Sequence, residues 1–203
     1  GDHGRSDLKR SFSTRSLGAP DGDKGDPDPL TKASWYAVEV FGKVFGSRVD
    51  SKSPSSTGAY DLDLPPKTMS ETKARLQEDN EREYFLSGQV DKLIYAEQCI
   101  FADPFVSFEG RDRFVDNLAN LGSFITKYSA RPLSYTEDGN VVESKFMVKL
   151  ELNLPWKPIL AWPWGVRCEI DPDTSLITLH KESWDIEAID GVTQIFRKPT
   201  TTI

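Results

Sequence analysis

Along the chain the apolar positions change their period once, near Pro132. Before it they recur every three or four residues, as on one face of a helix; after it they alternate, as on a half-buried strand. The stretch SETKARLQEDNEREYFLSG predicts a helix from Ser70, its N-cap, to a stop at Gly88, with Leu76, Tyr84 and Phe85 on its apolar side. QVDKLIYAEQ predicts a second short helix with Val90, Leu93 and Ile94 inward. CIFADPFVSFEG, broken by Pro104, reads as extended or irregular. RDRFVDNLANLGSFITKYS predicts a third helix, with Phe114, Leu118, Leu121 and either Phe124 or Ile125 in one stripe.

Strands dominate the rest. Over 144–156, Phe146, Val148, Leu150, Leu152, Leu154 and Trp156 share one face. Over 160–170, Leu160, Trp162, Trp164, Val166, Cys168 and Ile170 do the same. DPDTS turns the chain, and LITLHKESWD continues as a strand through Trp184, which a short final segment could extend. Helices followed by antiparallel strands make an α+β domain, expected over 69–198, with the helices on one face of a bent sheet. Its inward Trp, Phe and Leu side chains either fill the enclosed space or line a pocket for a flat or chain-like apolar molecule.

The chain ahead of that domain divides into a flexible leader at 1–30, a short amphipathic helix at 31–46 and a Ser- and Pro-rich linker at 47–68. Trp35, Val38, Phe41 and Phe45 form the helix stripe, which docks on the main domain or touches a membrane or partner protein. The Arg- and Ser-rich start fits the neighbourhood of an organellar transit peptide.

Composition narrows the chemistry. Lys and Arg total 25 against 32 Asp and Glu, a net charge of -7 and the wrong sign for nucleic-acid backbones. No stretch approaches the ~20 apolar residues of a membrane-crossing helix, so no transmembrane segment is expected. Two cysteines, Cys99 and Cys168, and two histidines, His3 and His180, are too few for a disulfide scaffold or a multi-imidazole site; no metal and no cofactor is expected. Phosphate-cradling glycine loops and the nucleophile elbow are missing from the sequence.

The run YAEQCIFADPFVSFEGRDRF at 95–114 combines a helix end, a short apolar strand, Asp-Pro, and a Gly before another helix. With the ending ITLHKESWDI, it resembles the nuclear-transport-factor-2-like superfamily, which includes ketosteroid isomerases and SnoaL-like polyketide cyclases, over about residues 70 to 197. Cys-x-Phe-x-Asp-Pro together with His-x-x-x-Trp-Asp looks closest to an uncharacterised branch of plants and cyanobacteria, often plastid-directed. The resemblance implies a cone-shaped, curved antiparallel sheet covered by three N-terminal helices. It also implies a hydrophobic pocket between them, dimerisation through the sheet, and a place in the chloroplast, at the stroma or thylakoid surface, with the cytoplasm as the alternative.

By the same resemblance Asp103 occupies the general-base position of the isomerase branch; its structural alternative is the cap of a turn before Pro104. The isomerase's oxyanion pair, a first-helix tyrosine and a strand acid, has no evident match: the helix position falls near Glu81, one turn before Tyr84, and no acid stands out among Leu160 to Ile170. Tyr84 or Tyr95 could donate instead, and His180, on one strand face with Glu182 and Trp184, could pair with Asp103 or with a neighbouring carboxylate. The expected pocket lining is Phe101, Phe105, Phe114, Leu118 and Leu121 from the front half. Phe146, Val148, Leu150, Trp162, Trp164 and Trp184 line it from the strands. Three functions follow: an accessory pocket protein for a small hydrophobic metabolite or a partner protein; an isomerase, cyclase or dehydratase for a hydrophobic carbonyl compound, with Asp103 as base; or a scaffold for membrane-bound enzymes.

Overall fold

Thr68, not Ser70, starts the first helix. Its hydroxyl accepts the Glu71 N–H at 3.2 Å, and the Glu71 carboxylate accepts the Lys67 N–H at 3.0 Å, so two otherwise unpaired donors are satisfied. Ser70 sits within the first turn, where its side chain cannot serve as the cap. The computed structural model describes residues 60–200 and 203. The leader, the amphipathic segment at 31–46 and residues 47–59 of the linker lie outside the described residues.

The predicted helix from Ser70 to Gly88 is two helices, α1 (Met69–Glu81) and α2 (Tyr84–Ser87). Glu83 adopts φ +52°, which breaks the helical path. Gly88 ends α2 at φ +73° with its N–H on the Tyr84 carbonyl, as the stop signal predicted. The second predicted helix shrinks to a single 3₁₀ turn, Lys92–Ile94, capped by the Asp91 side chain. Its remainder is strand β1 (Tyr95–Ala102), because Tyr95, Cys99 and Phe101 are taken up by the sheet's buried face.

Short strand β2 (Ser107–Glu109) leads into α3 (Arg111–Phe124). Helix α3 stops earlier than predicted: Ile125 is already extended and opens β3 (Ile125–Asp138), so ITKYS belongs to the sheet. Strands β4 (Val141–Leu152), β5 (Ile159–Ile170) and β6 (Ile177–Trp184) follow, then α4 (Ala188–Gln194) where a final extended segment was the expectation. Leu154 and Trp156 fall beyond β4 in a turn and leave the alternating face.

The strands form one open sheet in the order β2-β1-β6-β5-β4-β3. The sheet is mixed rather than wholly antiparallel, because β1 and β6 run parallel while every other neighbour is antiparallel. The parallel pair arises because the chain leaves the sheet after β2, crosses it as α3, and returns through a four-strand meander, β3 to β6, whose last reversal sends β6 along β1. With its helices gathered on one face, this is the α+β cone that the resemblance implied.

Register confirms the alternation read from the sequence. Phe146 lies opposite Trp164, Val148 opposite Trp162 and Leu150 opposite Leu160, all buried toward the helices. Against them pack Leu76, Phe85, Phe114 and Leu118. Helix α1 adds a polar inward face: Arg75, fully buried, binds Asp91 at 2.7 Å and the Leu64 carbonyl at 2.9 Å. Asp79 accepts the Asp91 N–H at 2.9 Å and pairs with Arg82.

Candidate functional site

Asp103 follows directly on β1, where Pro104 ends the strand. Its Oδ1 accepts the N–H groups of Phe105 at 2.7 Å and Val106 at 2.8 Å, and its own N–H donates to the Val106 carbonyl. The side chain thus performs the turn-capping task expected of Asp-Pro. Both backbone donors use Oδ1, and Oδ2 carries neither of those bonds. Burial pushes the Asp103 carboxyl above its ordinary range, against the two backbone bonds that favour its charge.

Tyr95, Phe101 and His180 are all buried on the inner face, and the β1–β6 register sets Phe101 beside His180. Around the imidazole stand Phe114 at 4.9 Å, Phe101 at 5.4 Å, Tyr95 at 6.0 Å and Tyr84 at 6.2 Å between ring centroids. Phe101 and Phe114 stack on each other at 3.9 Å. Cys168 Sγ approaches His180 Nδ1 at 3.7 Å. Burial pushes the Cys99 thiol up to about 12 and raises Cys168 as well, so both are packing thiols rather than nucleophiles.

The acid beside His180 is Glu182, not Asp103. His180 Nε2 lies 3.5 Å from Glu182 Oε1, and the carboxylate's side chain is 14% exposed, facing inward two residues along β6. The sequence placed Glu182 on this face by alternation and offered a carboxylate neighbour for His180; it assigned Glu182 no role of its own. Burial raises its carboxyl above the usual range, and the Asp103 charge adds to this, while His180 and the Trp164 indole oppose it.

Trp162 and Trp164 are buried, and Trp184 is half-buried against Trp162 at 4.7 Å. Phe105, on the loop after Asp103, meets Trp184 edge-on at 5.3 Å. Leu118, Phe146, Val148 and Leu150 complete the inner wall, whereas Leu121 is only half-buried on α3. The indole nitrogens of Trp162 and Trp184 are buried and make no hydrogen bond, whereas the Tyr84 and Tyr95 hydroxyls neighbour each other and His180 Nε2 and the Trp164 indole neighbour Glu182. Burial holds both phenols well above their ordinary range, and for Tyr84 the neighbouring Cys168 and Glu182 push the same way.

Two shallow hollows lie on the opposite face of the sheet. The larger, about 370 Å³, is a shallow groove lined by Ser134, Thr136, Lys145, Gly165, Arg167 and Ser183 among others. None of the side chains proposed from sequence lines it. Arg167 lies there, bound to Glu143 at 2.8 Å and Glu169 at 3.0 Å, and so is turned away from the inner face. Among the described residues no group of three or more His, Cys, Asp or Glu is placed to hold a metal ion, and no helix is long and apolar enough to cross a membrane.

A family profile described as an uncharacterized conserved protein, DUF2358, matches residues 71–180, more than half of the chain. No curated protein matches it in sequence. Among solved structures, the chain is similar to a SnoaL-like protein of Shewanella denitrificans OS-217, at 14% identity and a TM-score of 0.49, over 62% of this chain and 96% of that one. It is similar to an LEH-like epoxide hydrolase of M. tuberculosis, at 14% identity and a TM-score of 0.46, over 66% and 94%. It is also similar to an NTF2-like protein of unknown function from Burkholderia pseudomallei K96243, at 10% identity and a TM-score of 0.46, over 66% and 98%.

Proposed function

This chain belongs to the DUF2358 family of uncharacterized conserved proteins, and we propose that it is an accessory protein holding a small, flat, mostly hydrophobic molecule between its helices and its sheet. The observation that carries this reading is the pair of inward indole N–H groups, on Trp162 and Trp184, that are buried without a partner. Buried polar groups in folded proteins are nearly always hydrogen-bonded, and leaving one unpaired costs about 1–3 kcal/mol. Indole nitrogens only donate, so what satisfies them presents acceptors. A planar aromatic frame bearing a carbonyl or similar oxygen meets both the rings and the donors.

Titration of the full chain with 2-acetonaphthone, followed by tryptophan fluorescence, tests this. Saturable quenching is expected, at least about fivefold tighter than with 2-ethylnaphthalene, which has the same frame without the oxygen. Equal affinity for both would show that the donors play no part, and an absence of saturation would end the proposal.

A second reading, an isomerase, cyclase or dehydratase for a hydrophobic carbonyl compound, is favoured by one observation: Asp103, the candidate base, has a second buried carboxyl, Glu182, for a neighbour. Chloroplast residence goes with either reading and rests on the Arg- and Ser-rich residues 1–16. A fluorescent fusion of the full chain should enter plastids, and one lacking residues 1–30 should not; identical distributions would refute it.

A further inference from the structure

Strand β6 ends at Trp184, and its end is fixed to β5 and β4. The Asp185 N–H donates to the Pro163 carbonyl at 3.0 Å, and the Asp185 carboxylate pairs with Lys145. Ile186 and Glu187 then carry the chain into α4, which packs on the Trp184 ring. The fit is close: a Cβ on Gly191 would stand 3.0 Å from Trp184 Cζ3 and 3.3 Å from Ile186 Cδ1, so a glycine lets the helix come this near. Phe105 and Trp162 pack against the same indole, at 5.3 Å and 4.7 Å. Helix α4 thereby covers the place where the two indole N–H groups without partners, on Trp162 and Trp184, are buried.

Little apolar surface holds that cover down. Ile189 on α4 and Phe196 just beyond it are 62% and 75% exposed, and the Glu187 side chain does not cap the helix. What fastens α4 is polar and sits at its far end. Gln194 Oε1 accepts the Ala161 N–H at 2.7 Å, and Gln194 Nε2 donates to the Ala161 carbonyl at 3.2 Å. Trp184, opposite Trp164, is the last β6 residue in register with β5, so the Ala161 backbone lies beyond the reach of β6 and the Gln194 amide takes the place of a strand. Trp156, in the turn between β4 and β5, donates its indole N–H to the Ile195 carbonyl at 2.6 Å. Hydrogen bonds at a solvent edge exchange with water at little net cost, so this end of α4 releases far more readily than the fold unfolds.

We propose that α4 is a lid, hinged at Ile186 and Glu187 and latched by Gln194 and Trp156, whose release exposes the Trp162 and Trp184 indoles to the ligand. This rests on the first reading above, a bound flat molecule with an acceptor oxygen, and adds the way in and its control. The two buried N–H groups lack a protein partner, so a ligand that brings an acceptor favours the closed lid, and one without an acceptor does not. Opening of the latch sets the rate of entry and of exit alike.

Exchange of the indole N–H protons of the full chain with solvent, read in ¹H–¹⁵N spectra, tests the lid without any ligand. Gln194→Ala removes the amide latch, and Trp156→Phe keeps an aromatic ring while removing its donor. Each should speed exchange at Trp162 and Trp184 at least about threefold and leave Trp164, which packs on Phe85 of α2, unchanged. Gln194→Glu, which keeps the acceptor for the Ala161 N–H and loses the donor, should fall between. Equal exchange in the natural chain and the variants would overturn the proposal. Acceleration at all three indoles alike, or a variant that unfolds, would also overturn it, because α4 would then be holding the fold together. Stopped-flow quenching by 2-acetonaphthone reports the gate: association and dissociation should rise by the same factor in Gln194→Ala, leaving Kd unchanged within about twofold. Unchanged rates beside faster indole exchange would refute entry through the lid. Failure of 2-acetonaphthone to quench saturably would end the binding reading, and the indole exchange would then decide the lid by itself.

Discussion

Asp79 lies fully buried on α1, accepting the Asp91 N–H and pairing with Arg82. Burial nonetheless dominates and pushes its carboxyl up to about 7. A carboxyl raised on folding binds its proton more tightly in the folded chain. Between its ordinary value near 4 and about 7, the folded state holds a proton that the unfolded state has released, so stability falls as pH rises through that window. Asp79→Asn keeps an acceptor for the Asp91 N–H and cannot titrate. The stability of the natural chain relative to this variant should therefore decline by more than about 1 kcal/mol between pH 4.5 and 7.5 in urea unfolding. A difference that is flat, or that grows with pH, would refute the assignment. The sequence shows Asp79 only as one charge among many on a helix; its burial comes from Asp91, which folds back from beyond the next turn.

Individual elements were legible where local chemistry decides them. The glycine at 88 marks the end of α2 because φ +73° is open to it, and a Cβ there would stand 3.2 Å from the Leu118 carbonyl oxygen on α3. Gly88→Ala should accordingly cost about 1–2 kcal/mol in unfolding free energy, from the left-handed backbone alone, with more if α3 must retreat. A change below about 0.5 kcal/mol would show that the turn relaxes freely. Elements went wrong where two periods overlap. QVDKLIYAEQ carries its apolar residues at helical spacing, yet from Tyr95 onward it pairs in the sheet, since Cys99 and Phe101 continue an alternating buried face. The exposed edge β3 shows a further choice: Pro132 supplies no N–H, the register slips between Pro132 and Ser134, and Glu83 Oε1 accepts the Ala130 N–H at 3.2 Å. These features leave fewer open donors for a foreign strand.

For the molecule as a whole, the sequence alone determined the α+β class and which residues of β4, β5 and β6 face inward, because alternation is a property of neighbours along one chain. It also singled out Asp103, Tyr95 and His180, through residue type and resemblance. Only the tertiary structure decided who stands beside whom. His180 lies beside Glu182 two residues along the same strand, and the Asp103 charge reaches Glu182 because β6 returns parallel to β1 after a crossover and a meander. The mixed sheet and the second carboxyl therefore escaped the sequence for one reason. Strand order is selected by how the whole set of apolar faces is covered at once, and no local spacing between residues 103 and 182 records that selection.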